Sequence, residues 1–185
     1  MIPSNAKKVF TGVIFDVYQW PQEMFDGSIE TFEMLKRRTS TDVIATQNGK
    51  ILLQVQEQPA KPIFLSFPGG QAEDAEDSLV GAKRELLEET GCTSNDWHLF
   101  SEVNAISKID WFVYTYIARD CTIVQDQQLD AGERITIRWV TLDELIDLVD
   151  QQKFTQIEPS FRMDLVRAKY HPPARQELEK KIFGL

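Results

Sequence analysis

Along the first third of the chain, apolar and polar positions alternate at the two-residue period of a strand. In VFTGVIFDVYQW, residues 9–20, apolar and aromatic side chains recur through a run bounded by Pro21 and the later turn Asp26-Gly27. SIETFEMLKRR, residues 28–38, follows that turn and predicts the returning arm of an antiparallel hairpin. DVIAT, the turn Gln47-Asn48-Gly49 and KILLQVQEQ predict a second pair. Pro59 and Pro62 break the chain before IFLSF, a short strand ending at Pro68-Gly69-Gly70. Further on, WHLFSEV, DWFVYTYIA and RITIRWV read as strands.

Helical spacing takes over in three places. Asp77 or Ser78 can cap a helix that Gly91 ends. In LDELIDLVDQQ the residues Leu142, Leu145, Ile146 and Val149 recur on one face. A last helix lies within PSFRMDLVRAKY and stops before Pro172-Pro173. The pattern predicts a mixed α/β domain: a sheet flanked by few helices, with an N-terminal hairpin leading in.

Composition narrows the function. The 185 residues suffice for one domain, or one domain with an appendage. The start, MIPSNAKKVF, lacks the apolar core of a signal peptide, and no apolar run reaches the roughly 20 residues of a membrane-spanning helix. A cytoplasmic protein is expected, with Cys92 and Cys121 as reduced thiols. The net charge of −9 excludes bulk nucleic acid as a partner, since phosphate affinity rests on Lys and Arg. An anionic small molecule remains possible if a cation stands between it and the protein.

Residues 69–92, GGQAEDAEDSLVGAKRELLEETGC, set many carboxylates against Lys83 and Arg84 alone. At about 100° per residue, Glu89 lies roughly 40° to one side of Glu85 and Glu88 roughly 60° to the other. Leu79, Ala82, Leu86 and Thr90 form the face that enters the core, and Gly81 leaves room on the acidic side. Carboxylates at such spacings repel by a few tenths of a kcal/mol per pair. A hard divalent cation turns that cost into binding, so Mg²⁺, or Mn²⁺ in its place, is the simplest missing charge. A solvated acidic face is the bland alternative.

The spacing decides between them. Gly70, five residues, Glu76, seven residues and then Arg84-Glu85-Leu86-Leu87-Glu88-Glu89-Thr90-Gly91-Cys92 resembles the signature of the Nudix hydrolases. The one mild departure is Cys92, where an aliphatic residue is usual. The resemblance implies an α/β/α sandwich with a mixed sheet, and cleavage of a nucleoside diphosphate linked to another group. It implies Glu85, Glu88 and Glu89 as metal ligands, with the Gly69 carbonyl beside them. Arg84 is implied as the partner that orients Glu76 or a helix carboxylate, and Gly70, Glu76 and Gly91 as structural positions of the motif. Glu133, at the end of the loop DQQLDAGER, matches the glutamate that serves as catalytic base in the ADP-ribose and nucleotide-sugar branch; Asp130 is the second candidate.

Likeness to that branch extends over residues 8–170. It implies residues 1–40 as a hairpin extension supporting a homodimer, residues 41–185 as the hydrolase domain, and a nucleotide as the small-molecule substrate. Trp20 and Phe25 are candidates to stack on a base, and Arg37 and Arg38 to contact phosphate. The chain departs from the branch in reading Pro68-Gly69-Gly70 where Ala is common in the middle. It also reads Gln56-Glu57-Gln58-Pro59 where an Arg is common. ADP-ribose or a nucleotide sugar is the expected substrate. Alternatives are another nucleotide (a dinucleotide, a triphosphate or an RNA cap) and a nucleotide sensor that cleaves nothing.

Overall fold

The computed structural model describes residues 1–73 and 75–184. Two strands, β1 (Lys7–Thr11) and β2 (Phe15–Glu23), occupy what reads in sequence as one run. The chain turns at Gly12, whose N–H donates to the Phe15 carbonyl, so the expected hairpin is a three-stranded meander with β3 (Ile29–Arg37). Pro21 lies inside β2 rather than at its end, beyond the last β1 partner, where its missing donor leaves no β1 rung unmade.

The central sheet contains β4 (Ser40–Gln47), β5 (Lys50–Glu57), β6 (Phe64–Ser66) and β7 (Gly69–Gln71). Asn48 and Gly49 both take positive φ in the two-residue turn between β4 and β5, the geometry that matches strand twist. Helix α1 (Ser78–Thr90) follows, then β8 (Cys92–Thr93), β9 (Asp96–Asn104), β10 (Ile109–Asp110), β11 (Phe112–Arg119), β12 (Thr122–Ile123) and β13 (Arg134–Val140). The main strand order is β13-β5-β4-β11-β9, with β6 on β5 and β7 on β4. β4 and β11 run parallel and the other pairs antiparallel, which makes the sheet mixed. A second sheet, β1-β2-β3-β10, ties the N-terminal meander to the body through the parallel pair β3–β10.

Helices cover both faces. Ala82 and Leu86 of α1 pack on Val43, Ala45 and Leu52. On the other face, Leu145, Phe161, Leu165, Leu178 and Ile182 close over Ile44, Leu53, Phe67 and Ile117. They come from α2 (Leu142–Asp150), α3 (Pro159–Tyr170) and α4 (Pro172–Phe183). This is the expected α/β/α sandwich. α4 is the unexpected element. Pro172-Pro173 ends α3 and also starts α4, because a first-turn proline gives up an N–H that has no intrahelical partner. His171 joins the two, accepting from the Ala174 N–H. Among the described residues no helix is long and apolar enough to cross a membrane, and both cysteines are free and buried.

Candidate active site

Helix α1 carries the acidic group. Asp77 is the cap, accepting from the N–H groups of Leu79 and Val80, while the Ser78 hydroxyl meets Tyr116 Oη at 2.7 Å. Gly91 ends the helix in the left-handed region and donates to the Leu87 carbonyl. Among the acidic side chains Glu89 is the most buried, 4% exposed, and Glu85 is half-buried.

Arg84 organises one end of the group. Its guanidinium donates to Glu76 at 3.1 and 3.2 Å, to Glu85 at 3.0 Å and to Glu88 at 3.0 Å, and reaches the Gln71 carbonyl. Glu76 is thereby held below the ordinary carboxylate range, chiefly by the Arg84 hydrogen bonds. The room expected beside Gly81 is taken by Glu76, whose Oε2 lies 3.0 Å from where a Cβ would stand.

Glu89 is built differently. Its Oε2 accepts from Gln54 Nε2 and from the Gly69 N–H, both at 2.8 Å. Those neutral donors do not offset its burial, which pushes the carboxyl up to about 8, with the charges of Glu85 and Glu133 adding to the effect. Burial raises Glu85 as well, against the pull of Arg84. Gln54 is fully buried and belongs to a ladder on β5 and β6. Lys61 Nζ donates to Gln58, Gln58 to Gln56, Gln56 to Gln54 and to Ser66, and Gln54 to Glu89. An ammonium only donates and a carboxylate only accepts, so the two ends fix the direction of every amide between them.

The loop before β13 reaches this group because α1 holds it. The Gln128 N–H donates to the Glu88 carbonyl at 2.7 Å, Gln127 Nε2 to the carbonyls of Glu89 and Ile135, and Val124 N–H to that of Gly91. Glu133 is half-buried, donates its N–H to the Asp130 carbonyl, and is raised by burial and by the Asp130 charge. Its charge acts on Glu85 and Glu89, so the structure brings Glu133 together with the helix carboxylates.

A cavity of about 710 Å³ opens beside Gly69 and Gly70. Gly69 has φ 154° and a Cβ there would stand 2.0 Å from the Thr41 carbonyl, so the Ala common at this place in relatives of the branch has no room. A Cβ on Gly70 would meet Glu85 Oε1 at 2.4 Å. The cavity walls include Arg37, Asp42, Lys61, Phe64, Phe67 and Trp111. Arg37 stacks over Trp111 at 4.5 Å and its buried Nε has no partner. Asp42 is driven up to about 6 by burial alone.

Of the other sequence candidates, Arg38 is exposed between β3 and β4 and does not line the cavity. Trp20 is 7% exposed, packed on Phe32, and donates to Gln22. Phe25 is fully exposed at the β2–β3 turn. Within one chain neither aromatic reaches the cavity lining. The sequence pattern does not single out Asp42, Gln54, Lys61 or Trp111. Gln54 had a visible signal, two amides at i and i+2 in an otherwise apolar strand.

The donor set is hard oxygen throughout. Glu89 is a buried carboxylate with no cation beside it, and Gly70 leaves space for Glu85. These residues fit a magnesium- or manganese-type ion. Among the described residues no three His, Cys, Asp or Glu side chains are gathered into a metal cage.

The family profile of the NUDIX domain matches residues 36–162, and the chain belongs to the Nudix hydrolase family. It is 25% identical over 170 residues to the ADP-ribose pyrophosphatase of Bacillus subtilis (strain 168), across 88% of this chain and 90% of that one. It is 26% identical over 154 residues to the methanol dehydrogenase activator of Bacillus methanolicus, across 80% and 83%. An RNA pyrophosphohydrolase of Caulobacter vibrioides (strain NA1000 / CB15N) is 31% identical over 129 residues, 58% of this chain and 73% of that one. A solved structure described as an ADP compounds hydrolase superposes with TM-score 0.72 at 21% identity, covering 93% of this chain and 95% of that one, a likeness of fold.

Proposed function

We propose that this Nudix hydrolase is a divalent-metal-dependent pyrophosphohydrolase of ADP-ribose or a nucleotide sugar, releasing a nucleoside monophosphate and a sugar phosphate. The observation that carries the reading is the cavity: it is large enough for a sugar or base, cation-bearing at Arg37 and Lys61, and bordered by Gly69, whose N–H donates to Glu89 of α1. The B. subtilis ADP-ribose pyrophosphatase, matched over nearly the whole of both chains, supports it.

In this reading Glu85, Glu88, Glu89 and the Gly69 carbonyl hold Mg²⁺. The ion supplies charge neutralisation of the diphosphate and activation of water. Arg84 keeps Glu76, Glu85 and Glu88 in place from the side. Glu133, half-buried with its carboxyl raised, takes the proton of the attacking water. Arg37 meets phosphate as a planar fork already fixed by Trp111.

The N-terminal meander supports a homodimer: Phe10, Val13, Phe25 and Ile29 leave apolar surface uncovered on a sheet already anchored to the body.

The test of function is phosphate release from a panel of diphosphates, coupled to a phosphatase specific for the monoester products. ADP-ribose, nucleotide sugars, dinucleotides and triphosphates are each run with Mg²⁺ and with EDTA. A Mg²⁺-dependent signal confined to ADP-ribose or nucleotide sugars is expected. Turnover of triphosphates or dinucleotides alone would replace the substrate assignment, and turnover in EDTA would remove the metal.

A further inference from the structure

Asp42 is a half-buried acid whose carboxylate meets no counter-charge among the described residues. Along β4, Val43 and Ala45 face α1, whereas Ile44 faces the helices of the opposite layer. Asp42 shares the face of Ile44 by the two-residue period and opens into the cavity. Among the described residues it has neither a hydrogen bond nor an ion pair. Its carboxylate is left to find its partners in whatever the cavity holds.

Its neighbours carry the same mark. Register places Asp42 beside Thr115 of β11, and Thr115 beside Ser101 of β9, in one row across three strands. Thr115 Oγ1 and Ser101 Oγ are both buried without a hydrogen-bond partner. On its other side Asp42 pairs with Gly69, whose N–H donates to Glu89. The row thus starts one strand away from the α1 carboxylates, and Asp42 is its member that lines the cavity. An unpaired carboxylate in a cavity walled by Phe64, Phe67 and Val113 describes a seat rather than a core.

We propose that Asp42 is a specificity residue that receives the hydroxyls of the sugar on the far side of the substrate's diphosphate, with a pentose or hexose ring seated against it. The inference rests on the pyrophosphohydrolase reading and extends it to the leaving sugar phosphate. A carboxylate accepts only, so the ligand must bring donors. The aromatic and aliphatic walls match the C–H faces of a ring, and Arg37 stands across the cavity for its phosphate.

Two arms test this on the intact protein. In EDTA, ribose 5-phosphate and inorganic phosphate are titrated calorimetrically into the wild type, Asp42→Asn and Asp42→Val. The wild type should prefer ribose 5-phosphate, and Asp42→Asn should lose roughly 10- to 100-fold of that preference, the range for a hydrogen bond to a charged group. Its melting temperature should not fall, since the replaced carboxylate has no partner to lose. Equal wild-type affinity for the two probes, an unchanged preference in Asp42→Asn, or a lowered melting temperature in that variant would overturn the proposal. In the second arm, with Mg²⁺, kcat/KM is compared for ADP-ribose and for ADP esterified to a simple alkyl alcohol. The ratio should shrink by a similar factor in Asp42→Asn. Hydrolysis of neither compound by the wild type would refute the pyrophosphohydrolase reading, while the titration in EDTA still decides the role of Asp42.

Discussion

The two ends of the acidic group on α1 are built on opposite terms. Around Arg84, three carboxylates share one guanidinium within 3.2 Å, and each is bonded to that cation of the chain. Around Glu89, the donors are one amide side chain and one backbone N–H, both neutral. The first arrangement is complete as it stands and reads as scaffold. The second has no such cation among the described residues, and it is where the proposed metal would bind. Glu85 belongs to both, bonded to Arg84 on one side and set in the space of Gly70 on the other.

The sharpest way to break this contrast is at Glu89. Glu89→Gln keeps an acceptor for Gln54 and Gly69 but removes the charge, so kcat should fall by several orders of magnitude while the fold survives. Steady-state rates and thermal unfolding of the same sample check both halves, and full activity would take α1 out of the mechanism.

Next in size is the ladder behind it. Gln54→Leu removes the side-chain donor that orients Glu89, and Mn²⁺ affinity, read by electron paramagnetic resonance, should weaken by about 10- to 100-fold. Unchanged affinity would show that the Gly69 N–H suffices.

The unpaired end also has a pH signature. Glu89 titrates near 8 in the folded protein against an ordinary 4.5. Between those values the folded state keeps a proton that the unfolded chain has lost. Its contribution is therefore fully present below about pH 4.5 and is lost as pH rises through about 8, on the order of a few kcal/mol in EDTA. Denaturant titrations at a series of pH values should show this decline in the wild type and not in Glu89→Gln, and Mg²⁺ should reduce it.

At the paired end the expected change is smaller and of another kind. Arg84→Ala should cost about 1–3 kcal/mol, between an exposed and a buried ion pair, because it strands three carboxylates at once. If it costs nothing, the guanidinium is no scaffold.

The smallest effect is expected far from the site. Phe25→Ser should change monomer stability within about 0.5 kcal/mol, since the ring is fully exposed. It should nonetheless weaken a dimer built on the meander, as seen by analytical ultracentrifugation. An unshifted monomer–dimer balance would remove Phe25 from any interface.

Much of this was written locally in the sequence, because a helix face is set by residues three and four apart. Glu85, Glu88, Glu89 and Arg84 are legible from spacing alone, and so are the Asp77 cap and the Gly91 stop. Strands were equally legible from their period, but their punctuation was not. One run proved to be β1 and β2, and the prolines at 172 and 173 opened a helix as well as closing one. Proline excludes a helix interior but suits a first turn, and only the packing of Leu178 and Ile182 shows which applies.

What only the tertiary structure decided is which charges go unanswered. An Asp at the start of DVIAT and a Gln pair in KILLQVQEQ look like ordinary strand residues. Their meaning depends on residues far along the chain, the strand neighbours Gly69 and Thr115 for Asp42 and the bonded Glu89 for Gln54. By itself the sequence determined the acidic helix and the family it belongs to, because that pattern lies within one turn-by-turn segment. The sheet alone set Asp42 and Arg37 around a common space, since burial and pairing are properties of neighbours that strand register, not chain order, brings together.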